Sequence, residues 1–183
     1  MYEERMVMLD SSYAKNNYGQ LIQEIVSLYK PQTIIEFGVL QGYSLYHILE
    51  GTRGDGRVIA YDLFEDYQYR HADRESCRIR FGDQVIQYGD FYKKYQDLYD
   101  NSINMFHIDI SNTGETYQFF FDHYWDKLTP GGIVLLEGGS EARDKIDWMV
   151  RFKMQPIRPV LQSSGLDYFT FTPYPALTLI GKN

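Results

Sequence analysis

Thr33-Ile34-Ile35-Glu36-Phe37-Gly38-Val39-Leu40-Gln41-Gly42-Tyr43-Ser44 is the stretch on which the reading of the fold turns. Its first half is a β-branched and aromatic run broken only by one acid, the composition of a buried strand. Gly38 then permits a sharp turn, and Gly42 permits close approach of a ligand to the backbone. A helix beginning near Ser44 would aim its free N–H groups at the same spot. Strand, glycine turn and helix together make a nucleotide-sized seat. The acid Glu36 beside the turn makes that seat a poor neighbour for a pyrophosphate and a good one for a cationic group.

Outward from this segment the chain alternates strands and helices. Upstream, Leu21, Ile22, Ile25, Val26, Leu28 and Tyr29 form an apolar face predicting a helix over 20–29, stopped by Pro31. Downstream, the spacing predicts a short helix over 44–50 with a loop over 51–56, a strand over 57–63 ending in Asp62, a helical charged segment over 64–80, and a weaker strand over 84–88 followed by Gly89-Asp90-Phe91. A polar helix or turn over 92–100 precedes a strand over 103–108 that ends in Asp109. Tyr117, Phe120, Phe121, Tyr124, Trp125 and Leu128 make one continuous helical stripe, read as core. Pro130-Gly131-Gly132 turns into a strand over 133–136 ending in Glu137, and a helix over 143–153 and β-like stretches over 167–172 and 176–181 complete the chain. Such alternation predicts a Rossmann-like α/β three-layer sandwich, mostly parallel, with ligands outside the C-terminal strand ends.

That edge collects Glu36, Asp62, Asp90, Asp109 and Glu137, one acid at or after each of five strands. Taken singly, each is explained by helix capping or solvation; five in a row point to a site. Asp62 follows Gly42 by 20 residues, the spacing at which a carboxylate takes ribose hydroxyls. Asp90 suits an adenine amino group, and Asp109 and Glu137 lie where a reacting group or divalent ion could sit.

With these residues placed, the chain resembles the class I S-adenosylmethionine-dependent methyltransferases, and most of all the small branch whose first motif is Glu-x-Gly-x-x-x-Gly-x-Ser. Glu36, Gly38, Gly42 and Ser44 match its fixed positions, and Asp62 matches the ribose-binding acid. Gly89-Asp90-Phe91 resembles the adenine-side segment, Phe106-His107-Ile108-Asp109 the strand ending in the active-site Asp, and Leu128-Thr129-Pro130-Gly131-Gly132 the Leu-x-Pro-Gly-Gly turn. The resemblance covers about residues 20–181 and implies a C-terminal antiparallel hairpin. It implies S-adenosylmethionine as cofactor and S-adenosylhomocysteine as product, held by Glu36, Gly38, Val39, Gly42, Ser44, Asp62, Leu63, Asp90, Phe91 and Asp109.

Two departures bear on the chemistry. The branch commonly continues Asp-Gly-x-His after the fourth strand; here the run is Asp109-Ile110-Ser111-Asn112, which removes the histidine base. Metal-dependent relatives carry Asp-Asn after the fifth strand; here Glu137-Gly138 stands, so a metal is not favoured. Asp109 is the expected group for orienting or deprotonating the acceptor, with Asn112 and Glu137 in support. The expected reaction is methyl transfer to oxygen or nitrogen of a small-molecule or glycan-like acceptor. A non-catalytic cofactor-binding partner protein is one alternative. A nicotinamide-dependent oxidoreductase is the other, and Leu40 standing where a dense Gly-x-Gly-x-x-Gly cluster has its middle glycine counts against it.

The remaining signals are bulk properties. A length of 183 residues is that of a single domain, 1–183, with a polar extension over 1–18. A net charge of −7 without a basic tract argues against nucleic acid. One cysteine, Cys77, excludes an internal disulfide and fits a reducing, cytoplasmic setting, and nothing beside it marks a nucleophile. The start, Met1 to Met6, lacks a basic region followed by an apolar core, and no apolar run reaches membrane-spanning length. The 17 tyrosines are compatible with a wet cleft or a homodimer. Arg70, Arg74 and Arg78 would form a basic stripe on a helix, with His71 near the mouth; solvation by neighbouring acids is the plainer account. His107 reads as a satisfied core histidine.

Overall fold

In the computed structural model, which describes residues 11–183, seven strands form one sheet in the order β3-β2-β1-β4-β5-β7-β6. The strands are β1 Thr33–Phe37, β2 Arg57–Asp62, β3 Ile86–Tyr88, β4 Ile103–Ile108, β5 Leu128–Glu137, β6 Tyr168–Phe171 and β7 Leu177–Gly181. The first five run parallel, while β7 lies antiparallel to both β5 and β6. A nicotinamide-binding doubly wound sheet has strand order 3-2-1-4-5-6; the antiparallel β7 between β5 and β6 departs from it. The strand order reverses between β1 and β4, and that reversal opens a crevice at their C-terminal ends.

The central strands β1, β4 and β5 are buried on both faces, so alternate residues feed two cores, while the edge strand β6 is exposed or half-buried. Ile35, Phe37, Phe106 and Ile108 pack with Tyr117 and Phe120 of α5 (Gly114–His123), with Tyr124 that caps it, and with Ile157, Val160 and Leu161 of a later helix. Ile34, Val58, Ala60, Met105 and Leu135 pack on the other face with α1 (Tyr18–Tyr29), α2 (Tyr43–Thr52), Cys77 and Tyr13. α1 ends where Lys30 turns left-handed ahead of Pro31.

Several elements differ from the sequence reading. Residues 64–80 are not one helix. A 3-10 turn over Phe64–Asp66 leads into an irregular run, and only α3, Arg74–Phe81, is α-helical. Its start is set by acids: Asp73 accepts from Ser76 N at 2.7 Å and Glu65 from Arg74 N at 2.9 Å, satisfying first-turn donors. Arg70 therefore falls outside the helix and the basic stripe does not form; Arg78 pairs with Asp83 at 2.7 Å and Glu75 at 3.1 Å. A four-residue α4, Phe91–Lys94, and a 3-10 turn fill the stretch after β3. The aromatic stripe breaks after His123, and Leu128 begins β5 instead of ending a helix. Pro130-Gly131-Gly132 lies within β5, where the pairing with β4 jumps between Ile103–Leu128 and Met105–Ile133. The helix over 143–153 is two short pieces, α6 Glu141–Asp144 and α7 Asp147–Arg151, separated by extended Ile146. A further helix, α8 Ile157–Ser163, lies in a stretch for which no element was expected; Pro156 is its N-cap and Pro159 falls in its first turn, where a helix start tolerates them. Of the polar extension over 1–18, only the part from Ser11 is described, as a 3-10 turn Ser12–Asn16 and the start of α1; the stretch Met1 to Met6 lies outside the described residues. Among those described, no helix is long and apolar enough to cross a membrane.

Gly42 serves packing and not ligand approach. It caps α2 at φ +81°, and a Cβ there would strike the Phe81 ring at the end of α3. Gly42→Ala therefore combines a left-handed non-glycine residue with an overpacked contact, and is expected to lower unfolding free energy by about 1–3 kcal/mol in urea denaturation. A midpoint equal to wild type would show that the α2–α3 contact yields freely.

Candidate functional site

A cavity of about 520 Å³ opens over the strand ends at the β1–β4 reversal, a size within the range of small-molecule sites. Its floor is the turn Gly38–Gln41, its walls include Tyr61, Asp62 and Leu63 after β2, Gly89–Tyr92 after β3, and Asp109–Ser111 after β4. Gly38, Val39, Ser44, Asp62, Leu63, Asp90, Phe91 and Asp109 all line it; Glu36, Gly42, Asn112 and Glu137 do not.

The turn is braced by Asp62. Its Oδ2 accepts from Val39 N at 2.7 Å and from Leu40 N at 3.3 Å, and its Oδ1 accepts from Phe64 N at 2.9 Å. Leu40 is held at φ +46° by this arrangement, a backbone conformation that a leucine adopts only under constraint. Asp90 caps α4 through Tyr92 N at 3.0 Å and lies 3.2 Å from Lys93 Nζ. Gly38 has φ +91°, and a Cβ on it would meet the Asp109 carbonyl. The absence of a side chain at 38 thus keeps Asp109 against the turn.

Asp109 is the chemically distinctive acid. No described residue donates a hydrogen bond to its carboxylate, which lies at the cavity wall. Burial pushes its pKa up, to about 6; the charge of His107 opposes the shift and that of Glu36 adds to it. It can therefore exchange a proton near neutral pH.

Two further acids and Asn112 behave otherwise. Glu36 is wholly buried one layer beneath the cavity, where its Oε1 accepts from Ser44 Oγ at 2.6 Å and from His107 Nδ1 at 2.9 Å. Its Oε2 has no partner. Glu137 is buried and gripped by Arg143, with Nε to Oε1 at 2.6 Å and Nη2 to Oε2 at 3.0 Å; burial drives its pKa up to about 7 against the pull of Arg143. Asn112 is also buried, its Nδ2 donating to the carbonyls of Ile108 at 2.9 Å and Glu137 at 3.0 Å. Neither Asn112 nor Glu137 has a donor or acceptor turned to the cavity. Asn112 Oδ1 is buried without a partner. Neither residue lines the cavity, and through Asn112 Nδ2 and the Arg143 clamp they act as a strut tying the ends of β4 and β5, which corrects the supporting role at the acceptor. Among the described residues, no group of three or more His, Cys, Asp and Glu side chains could hold a metal ion.

The mouth also contains residues that strand-end reasoning passed over. Tyr67, Tyr69, Arg70 and His71 line the cavity from the irregular run before α3, and Tyr67 OH meets Ser111 Oγ at 3.0 Å. Tyr43 and Tyr92 add aromatic wall, and Ser11 and Ser12 close one side. Only the tyrosine abundance and the place of His71 after β2 signalled this wall. Cys77 is buried behind the turn, where burial pushes its thiol up to about 11 and leaves it unreactive.

A model of the family described as Methyltransferase domain matches residues 35–137. No curated protein sequence matches the chain. Among solved structures, the chain is similar to the O-methyltransferase from Bacillus cereus in complex with SAH (14% identity, TM-score 0.66, covering 99% of this chain and 86% of that one). It is also similar to the SAH-bound methyltransferase PaMTH1 of Podospora anserina (17%, TM-score 0.66, 100% and 82%). A third is the O-methyltransferase TomG of Streptomyces achromogenes, involved in tomaymycin synthesis, in complex with SAM (15%, TM-score 0.63, 100% and 95%).

The raised pKa of Asp109 has a thermodynamic signature. As pH rises from about 4 to about 6 the unfolded carboxyl loses its proton first, so this group's contribution makes stability fall through that window. Asp109→Asn removes the buried charge and is expected to be about 1–2 kcal/mol more stable than wild type at pH 7, with the gain vanishing near pH 4. A pH-independent difference in denaturation midpoints would contradict a raised Asp109 pKa.

Proposed function

Because this chain belongs to the methyltransferase-domain family, we propose that it transfers a methyl group from S-adenosylmethionine to oxygen or nitrogen of a small-molecule or glycan-like acceptor, releasing S-adenosylhomocysteine. The carrying observation is the carboxylate of Asp109 at the wall of a cofactor-sized cavity, with a pKa of about 6 and no described hydrogen-bond donor. SAH or SAM in the three similar structures supports the choice of cofactor.

The residues fit such a group. Asp62 spends one oxygen on two turn amides and the other on Phe64 N, yet a carboxylate has about four acceptor sites, so one is left for a ribose hydroxyl. Asp90 and Phe91 supply an acceptor and an aromatic edge for the base, and Val39 and Leu63 supply apolar wall. The unpartnered Glu36 Oε2 is the buried acceptor that a ligand N–H or a bridging water would satisfy. When bound, S-adenosylmethionine supplies a methyl group on a cationic sulfur, already activated toward displacement.

What the protein must add is alignment of the acceptor and, for a neutral hydroxyl or amine, a place for the departing proton. Asp109 meets both needs. Above its pKa it is an anion that orients an acceptor O–H or N–H by hydrogen bonding and takes the proton as the new bond forms. The tyrosine-rich mouth from Tyr67 to His71 screens this step from water.

The test is SAH release from S-adenosylmethionine across a panel of hydroxyl- and amine-bearing small molecules. With an accepted substrate, Asp109→Ala is expected to reduce turnover by roughly 10²- to 10⁴-fold while SAH affinity stays within about threefold of wild type. Wild-type turnover by Asp109→Ala would remove Asp109 from the chemistry.

A further inference from the structure

Glu36 and His107 are buried polar groups that the reaction does not use. They sit directly opposite each other in the β1–β4 register, on the same face of the sheet. One carboxylate oxygen, Glu36 Oε1, takes both Ser44 Oγ at 2.6 Å and His107 Nδ1 at 2.9 Å. Ser44 lies in the first turn of α2 and lines the cavity. A carboxylate oxygen accepts, so the proton between the two groups is assigned to His107 Nδ1. The hydroxyl facing Nε2 is Tyr13 OH, at 3.4 Å. Burial raises the Tyr13 pKa well above its ordinary value, which keeps that hydroxyl a donor. Tyr13 belongs to the turn Ser12–Asn16, and Ser12 of that turn lines the cavity with Ser11.

We propose that Glu36 and His107 are positioning residues of the cofactor seat, forming with Tyr13 a buried relay, Tyr13–His107–Glu36–Ser44, that fixes Ser44 at the cavity wall and joins the N-terminal turn to it. Two donors on one oxygen pin the carboxylate against rotation. With His107 gone, a buried carboxylate keeps a single partner, and Ser44 loses the fixed acceptor that sets its rotamer. The relay takes no part in the methyl transfer itself, and its function rests on the reading of the cavity as the S-adenosylmethionine seat.

The experiment is calorimetric titration with S-adenosylhomocysteine of the wild type, His107→Leu, His107→Asn and Tyr13→Phe. His107→Leu removes the donor to Glu36 and is expected to weaken binding by about tenfold or more. His107→Asn sets an amide N–H where Nδ1–H stands and is expected to recover affinity to within about threefold of wild type. Asparagine fills less space than leucine, so that recovery cannot come from packing. Asparagine no better than leucine, or leucine equal to wild type, overturns the proposal. If His107→Leu does not fold, Tyr13→Phe carries the test: binding about two- to threefold weaker at unchanged melting temperature supports the relay, and wild-type affinity overturns it. A wild-type chain that binds no SAH overturns the cofactor reading itself, a result distinct from any ranking of the variants.

Discussion

The approach of Gly38 to Asp109 is the constraint from which the site follows. Gly38 N donates to the Tyr61 carbonyl at 2.9 Å and Asp109 N donates to the Phe37 carbonyl at 2.9 Å, so the ends of β1, β2 and β4 are laced together where the strand order reverses. At that knot there is no room for a Cβ on residue 38, and its φ of +91° suits glycine alone. Any side chain there would push the Asp109 backbone away from the turn. The glycine thus sets the distance between a nucleotide-sized seat and the Asp109 carboxylate, which has no hydrogen-bond donor among the described residues.

Around this knot the five strand-end acids divide by what satisfies them. Asp62 and Asp90 are committed to backbone N–H groups and shape the turn and the start of α4. Glu36 and Glu137 are buried and paired, one with Ser44 and His107, the other with Arg143. Breaking such a pair leaves a charge without compensation, which is why these two hold the architecture. Asp109 alone is desolvated without a described partner for its carboxylate, and its pKa rises accordingly. The same residue type at the same sheet edge is thus a cap, a brace or an unpartnered carboxylate according to its neighbours.

Much of this was legible before any coordinates. The strands Thr33–Phe37 and Ile103–Ile108 follow from β-branched runs between turn residues, and Gly38, Asp62, Asp90 and Asp109 fall on the cavity as spacing after parallel strands requires. What stayed hidden depends on contacts distant in sequence. Nothing local distinguishes Glu137 from Asp109; the difference is Arg143, six residues on, folding back through α6. Helix propensity over 64–80 lost to Asp73 and Glu65, whose carboxylates start the helix late, so that Tyr67, Tyr69, Arg70 and His71 line the cavity from an irregular run. Gly42 looked like a ligand contact because sequence does not show that Phe81 occupies the space beside it.

The central claim is that the Gly38 turn, with its acids, is an S-adenosylmethionine seat and not a dinucleotide seat. Separate calorimetric titrations of the intact chain with S-adenosylhomocysteine and with NAD test it most directly. The account predicts saturable, one-site binding of S-adenosylhomocysteine and no saturable binding of NAD. Saturable NAD binding without S-adenosylhomocysteine binding would contradict it.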